Sequence, residues 1–270
     1  YALVSKASIG SLFLAGILPG LIMGLVLMIM NYYMAGKRGF AMEDPIPLRE
    51  LPRKTANAFP ALLMPVILLY GIYGGVTTPT EAAAIAAFYA LLLAGLFYKA
   101  LSFKTLFNVF VESARSSASV GIVIGGAFIL NFIVISEQIP QSIAMLLEGT
   151  DVNPIVFLIV VNLLILALGC ILDATTIILV IVPLFIPTCE VLGIDLVHFG
   201  VLVVVNSMIG LITPPYGILL FVINAVTDIP LREIISEIWA FLVILIAALL
   251  IMLLVPDLVL WLPRVFGYQG

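Results

Sequence analysis

Long apolar runs separated by short polar stretches make up most of this chain. The first run covers 8–35 and is loosened by Gly16, Pro19, Gly20 and Gly24. Residues 36–57 carry Lys37, Arg38, Arg49, Arg53 and Lys54, which predicts a loop or a short surface helix. The run at 58–75 ends on Gly74-Gly75. Thr78 or Thr80 then caps a helix over 80–98, with Pro79 in a first-turn position and Glu81 beside the positive end of the helix dipole. After Lys99 and Lys104 a short amphipathic piece reaches Arg115, and 116–135 is apolar again. Residues 136–153 are acidic and broken by Pro140 and Gly149, which predicts a short interfacial helix. Runs at 154–190, 199–226 and 232–262 follow, with His198 expected in a solvated loop beside Asp195.

Two of these runs are interrupted in their middle. The first, Asn162 to Pro187, contains Gly169, Cys170, Asp173, Thr175 and Thr176 and closes with Pro183 and Pro187. It is too long for one simple span, and a re-entrant hairpin over 154–192 would put the break at its tip. The second interruption is Gly210-Leu-Ile-Thr213-Pro214-Pro215-Tyr216-Gly217, inside a broken helix at 198–227. A carboxylate within an apolar run costs about 2.5 kcal/mol or more in hydrocarbon, so Asp173 needs a cation, a cavity or a cap. Two readings stand for it: the N-cap of the second half-helix, satisfying Thr175 and Thr176, or direct contact with an ion.

A helix that stops inside a bilayer leaves C=O and N–H groups that no water can satisfy. Carbonyls at the end of a half-helix offer hard oxygens to Na⁺, and N–H groups at the start of the next attract a carboxylate. Gly169 and Gly210 sit where such carbonyls are expected, and Thr213 adds a hydroxyl. Pro214 and Pro215 lack an N–H, which frees carbonyls one turn earlier. The candidate ion-binding residues are therefore Gly169, Asp173, Gly210 and Thr213, and the candidate substrate-facing ones Thr175, Thr176, Pro214 and Pro215. A mere proline kink at Pro214-Pro215 is the plainer alternative. Asn131, Asn162 and Asn206 lie in apolar runs and are expected to hydrogen-bond between helices.

Composition places the chain in a bilayer. Hydrophobic residues are 64% of 270 and charged residues 10%, against about 25% charged in a soluble domain. The runs are helix-length, and the period-2 segments of a barrel are absent. The two cysteines, Cys170 and Cys189, lie in apolar surroundings and read as unpaired packing residues. With sides alternated and 154–190 counted as a hairpin, Lys37, Arg38, Arg49, Arg53, Lys54, Lys99, Lys104, Arg115 and Arg232 share one face, leaving only Lys6 and Arg264 opposite. That bias marks the shared face as cytoplasmic. Counting 154–190 as a single crossing moves Arg232 out and Arg264 in and is no worse by count, so the charges support the first half of the layout and the hairpin rests on the broken run. Tyr1–Gly20 can be set against Phe221–Ala240, each copy entering a long span. The two spans run in opposite directions, as in an inverted repeat.

The stretches Gly-Val-Thr-Thr-Pro-Thr-Glu-Ala-Ala-Ala (75–84), Leu-Gly-Cys-Ile-Leu-Asp-Ala-Thr-Thr with Pro183 and Pro187, and His198-Phe-Gly-Val with Asn206 and Gly210-Leu-Ile-Thr-Pro-Pro-Tyr-Gly resemble the large membrane subunit of tripartite ATP-independent periplasmic (TRAP) transporters, in order and spacing. The resemblance covers essentially the whole chain. It implies an all-α polytopic membrane protein of the ion transporter superfamily, half of an inverted-repeat elevator transporter with a re-entrant hairpin and a broken helix. It implies Na⁺-driven uptake of an organic acid, of sialic acid or C4-dicarboxylate type, across a bacterial inner membrane. A periplasmic substrate-binding protein and a small membrane subunit are the implied partners, with no role for nucleic acid. Carried over to this sequence, the Na⁺ sites fall at Gly169 and its neighbours and at Gly210, Thr213 and Tyr216, the last through backbone oxygens. The layout then reads 1–35 as the last span of a first repeat, 36–57 as a cytoplasmic linker and 58–115 as scaffold spans. It continues with 116–153 as a span and interfacial arm, 154–192 and 198–227 as the transport domain, and 228–270 as a final scaffold span. A first half with its own hairpin and broken helix is expected ahead of Tyr1.

A transporter working without a binding protein is the near alternative. An intramembrane aspartyl protease would need two carboxylates sharing a site, and only Asp173 lies deep in a run. A channel would need rings of charge or carbonyls about a pore axis.

Overall fold

The computed structural model describes residues 1–38, 51–74, 76–138 and 153–269. All regular structure among them is helical. Among the described residues, four helices are long and apolar enough to cross a membrane: Ile9–Arg38, Pro79–Phe97, Phe103–Val134 and Leu231–Leu254. The chain is a multi-pass helical membrane protein. It divides into two compact units, one of Tyr1–Arg38 with Val120–Gly270 and one of Gly39–Ser119.

In chain order the helices are α1 (Ala2–Ser5), α2 (Ile9–Arg38), α3 (Leu51–Tyr73), α4 (Pro79–Leu92), α5 (Phe103–Ser136), α6 (Pro154–Gly169), the short turn α7 (Ala174–Thr176), α8 (Ile186–Val191), α9 (Leu196–Gly210), α10 (Ile218–Thr227), α11 (Leu231–Leu254) and α12 (Asp257–Val265). In the smaller unit α3 and α4 pair as a hairpin, tied by the Tyr89 hydroxyl donating to the Pro60 carbonyl at 2.8 Å. The turn before α4 forms the expected cap. Glu81 N–H donates to Thr78 Oγ1 at 3.3 Å, and Thr78 N–H donates to Glu81 Oε2 at 2.8 Å. These two bonds satisfy donors that the helix itself leaves without partners.

The larger unit is built around α9. Apolar residues line it all round, and Val197, Phe199, Leu202 and Val203 are fully buried. A helix that is apolar on every face belongs inside a bundle. It packs on α6, α2, α11 and α12. Arg38 at the end of α2 pairs with Glu237 of α11.

The structure redraws several sequence boundaries. Residues 103–136 form one helix, where a short amphipathic piece and a separate span were expected. No Gly or Pro separates Arg115 from the apolar run, and serines at 116, 117 and 119 do not break a helix. The final span stops at Leu254, and Pro256 opens the separate α12. Proline cannot donate to the preceding turn, so the ladder ends there. His198, expected in a solvated loop, lies in the first turns of α9 and is buried. Its Nε2 meets the Met252 carbonyl of α11 at 3.0 Å. The helix starts early because Asp195 caps it, its Oδ1 accepting from Val197 N–H at 2.8 Å and His198 N–H at 2.9 Å. The interfacial helix of 136–153 falls largely outside the described residues, as does much of the 36–57 linker, though α3 already begins at Leu51.

Candidate functional site

Both interrupted runs are broken helices. The first stops as α6 at Gly169, passes through Cys170–Asp173, and restarts at Ala174. The second stops as α9 at Gly210 and restarts as α10 at Ile218. The apolar helices on either side of the two breaks, α6, Ala174–Leu184, α9 and α10, are 10–17 residues long. At 1.5 Å per residue each is about 15–26 Å, short of a hydrocarbon core of about 30 Å.

The breaks meet. A Cβ placed on Gly210 would lie 2.7 Å from Gly169 Cα and 2.8 Å from Gly169 C, so only glycine permits this crossing. The tie beneath it is polar. Asn206, one turn before Gly210, donates from Nδ2 to the Asn162 backbone oxygen at 2.6 Å and to Asn162 Oδ1 at 2.9 Å. Asn162 in turn donates to the Leu158 carbonyl at 2.8 Å. Asn162 and Asn206 therefore hydrogen-bond between helices, as their apolar setting requires; the side chain of Asn131 lies outside the described residues. Asn206 Oδ1 is buried and accepts no hydrogen bond among the described residues.

Asp173 acts as a cap. Its Oδ2 accepts from the N–H groups of Thr175 at 2.9 Å and Thr176 at 3.2 Å, and its Oδ1 accepts from the Thr176 hydroxyl. The carboxylate is exposed on the surface of this chain. Thr175 and Thr176 are thereby held beside Asp173, on a turn that packs against α9.

The second break distributes its oxygens differently from the simple proline argument. Pro214 and Pro215 deprive the carbonyls of Gly210 and Leu211 of their usual partners, yet both are re-engaged. Thr213 N–H donates to the Gly210 oxygen at 2.9 Å, and Leu219 N–H reaches back to the Leu211 oxygen at 3.1 Å. The first is a tightened i→i−3 bond of the kind common at a helix end, and the second reaches across the break. Among the described residues, the carbonyls that accept no hydrogen bond are those of Gly169, Cys170, Ile171 and Leu172 in the first break and Ile212, Thr213, Pro215 and Tyr216 in the second. The Thr213 hydroxyl donates to the Ile209 carbonyl at 2.7 Å, which leaves its own lone pairs free. The Tyr216 side chain is exposed, and the Pro214–Pro215 peptide is cis. Gly217, at φ 22°, closes the turn into α10.

Two residues join this site that the sequence reading set aside. The Cys170 thiol donates to the Leu166 carbonyl at 3.3 Å and lies 3.8 Å from the Pro214 carbonyl, linking the two breaks. Ser207 is buried, and its backbone oxygen would sit 3.8 Å from a Cβ on Gly169. The only signal for either was adjacency, Cys170 to Gly169 and Ser207 to Asn206. Both cysteines are free thiols.

Neutral backbone and hydroxyl oxygens gathered at two helix breaks suit a hard monovalent cation better than a soft metal. In keeping with that, no group of three or more His, Cys, Asp or Glu is placed to hold a metal among the described residues.

Known proteins share much of this sequence. The chain is 39% identical over 269 residues to the sialic acid TRAP transporter large permease protein SiaM of Vibrio cholerae, covering 99% of this chain and 63% of that protein. It is 39% identical over 267 residues to the C4-dicarboxylate TRAP transporter large permease protein DctM of Pseudomonas aeruginosa, 99% of this chain and 62% of that one. It is 38% identical over 257 residues to the isethionate TRAP transporter permease protein DctMQ of Oleidesulfovibrio alaskensis, 95% of this chain and 40% of that one. The chain thus spans less than two thirds of the length of these relatives, all of which are named as transport permeases. Residues 1–258 match the family described as tripartite ATP-independent periplasmic transporter, DctM component, and the chain belongs to that family.

Proposed function

We propose that this chain is part of the large permease subunit of a Na⁺-coupled importer of organic acids in a bacterial inner membrane. The observation that carries the reading is the crossing of two broken helices at Gly169 and Gly210, surrounded by carbonyls that accept no hydrogen bond. Na⁺ is held there by backbone oxygens of the two breaks, with the Thr213 hydroxyl a further ligand. Asp173 holds the N–H groups of Thr175 and Thr176 at the start of a half-helix, and these two threonines are the proposed contacts for the substrate. Helices α6–α8 form a re-entrant hairpin and, with α9 and α10, a transport domain that moves as an elevator against the long spans. A periplasmic binding protein delivers the acid, and a small membrane subunit flanks the permease. Two relatives are named for sialic acid and for C4-dicarboxylate, which supports an organic acid of that kind as the substrate.

The test is uptake by the full permease, reconstituted with its binding protein and small subunit. Transport is expected with an inward Na⁺ gradient and not with an equal K⁺ gradient. Equal uptake in the two salts overturns the coupling, and uptake without the binding protein overturns the delivery step.

A further inference from the structure

Away from the crossing, a cavity of about 400 Å³ opens between α1, α5 and the α7–α8 segment. Its wall is mostly apolar, with Leu3, Val4, Phe128 and Ile186 among the lining residues. Two charges also line it, Lys6 and Glu190. Both are exposed, and neither forms an ion pair or a side-chain hydrogen bond with any described residue. A cation and an anion that share one cavity without bridging are complementary to a ligand carrying both charges. The apolar wall adds the demand for a hydrocarbon tail.

We propose that this cavity binds a zwitterionic phospholipid with a primary ammonium headgroup, of phosphatidylethanolamine type. Lys6 takes the phosphodiester, and Glu190 accepts hydrogen bonds from the ammonium. The upper acyl chain lies on Leu3, Phe128 and Ile186. The transported acid is a poor occupant, since Glu190 repels a carboxylate and the apolar wall offers it nothing. A choline headgroup is also poorer, because it has no N–H to donate to Glu190, whereas an ammonium has three donors. A glycerol headgroup leaves Glu190 unpaired beside a net negative lipid. The proposal does not depend on Na⁺ binding at the helix breaks, so the two can fail separately.

The test is native mass spectrometry of the full chain, delipidated in detergent and titrated with phosphatidylethanolamine, phosphatidylcholine and phosphatidylglycerol of matched acyl chains. The ethanolamine lipid is expected to bind about tenfold tighter than the other two, as about 1.4 kcal/mol of charge-assisted hydrogen bonding gives. Glu190→Gln brings the ethanolamine lipid to the level of the choline lipid, and Lys6→Gln weakens all three. Lys99→Gln, an exposed lysine elsewhere, changes nothing. Equal affinity for the three lipids in the unaltered protein overturns the proposal without any variant. So does an ethanolamine preference that survives Glu190→Gln.

Discussion

Gly210→Ala is the sharpest perturbation of the helix crossing. The new methyl would lie 2.7 Å from Gly169 Cα, 2.8 Å from Gly169 C and 3.1 Å from Gly169 O. Carbon atoms rest at about 3.5–4.0 Å, so α6 must withdraw by nearly 1 Å. Every atom struck is backbone, and no side chain can rotate away. Overpacking of this kind costs about 1–3 kcal/mol, and the better helix propensity of alanine returns about 1 kcal/mol at most. The net loss of up to about 2 kcal/mol lowers Tm by up to roughly 4–8 °C for a domain of this size. Gly16→Ala and Gly20→Ala are the controls, because nothing lies within 4 Å of either added methyl. They are expected to melt at or slightly above the parent temperature. The assay is thermal unfolding in detergent at one scan rate, since unfolding of such a protein is often irreversible and only the ranking then has meaning. Gly210→Ala melting with the controls would refute the contact and, with it, the proximity of the two breaks.

The other predictions use the same assay. Na⁺ raises the melting temperature and K⁺ at equal ionic strength does not, and Thr213→Ala reduces the Na⁺ increment by removing a hydroxyl oxygen; an unchanged increment removes Thr213 from the site. Asp173→Ala costs about 1 kcal/mol as a lost N-cap, while Asp173→Asn, which keeps an acceptor for Thr175 and Thr176, costs less. A Na⁺ increment that survives in Asp173→Asn makes the carboxylate a cap and not an ion ligand. Asn206→Leu strips the donor from two Asn162 oxygens in the core and costs about 2 kcal/mol; a neutral result would mean that the tie is not formed.

The breaks were legible because their cause is local. Pro214-Pro215 after Gly210 cannot hold an unbroken ladder, and Gly169 followed by the Asp173-Ala-Thr-Thr cap favours a stop and a restart. Capping was legible for the same reason, at Thr78–Glu81 and at Asp173. Positions decided by tertiary contact were not. His198 reads as a polar residue near a turn, and only the packing of α11 supplies the Met252 carbonyl that lets it be buried. The Gly210 carbonyl reads as free because Pro214 cannot donate to it, yet Thr213 does so through a tighter turn. No sequence period could show that Gly169 and Gly210 touch, since the contact joins segments 41 residues apart whose register is set by Asn162 and Asn206.

That register also bears on how an ion and an acid could be coupled. Asp173 is the one carboxylate in the two breaks, and its oxygens are occupied by the N–H groups and hydroxyl of its own turn. Its charge is thereby set against the positive end of a half-helix. The remaining oxygens of the two breaks are neutral. On the proposed reading, a Na⁺ entering such a site adds a net positive charge in a medium where charge is expensive. The carboxylate of an organic acid, arriving beside Thr175 and Thr176, offsets it. With the charge of Asp173 set against its own half-helix, that reading leaves the charge of each ligand to be offset by the other. A carboxylate free to bind Na⁺ directly would neutralise the ion without the substrate and weaken that dependence. On the proposed reading, satisfying Asp173 within its own turn is what ties the ion to the acid.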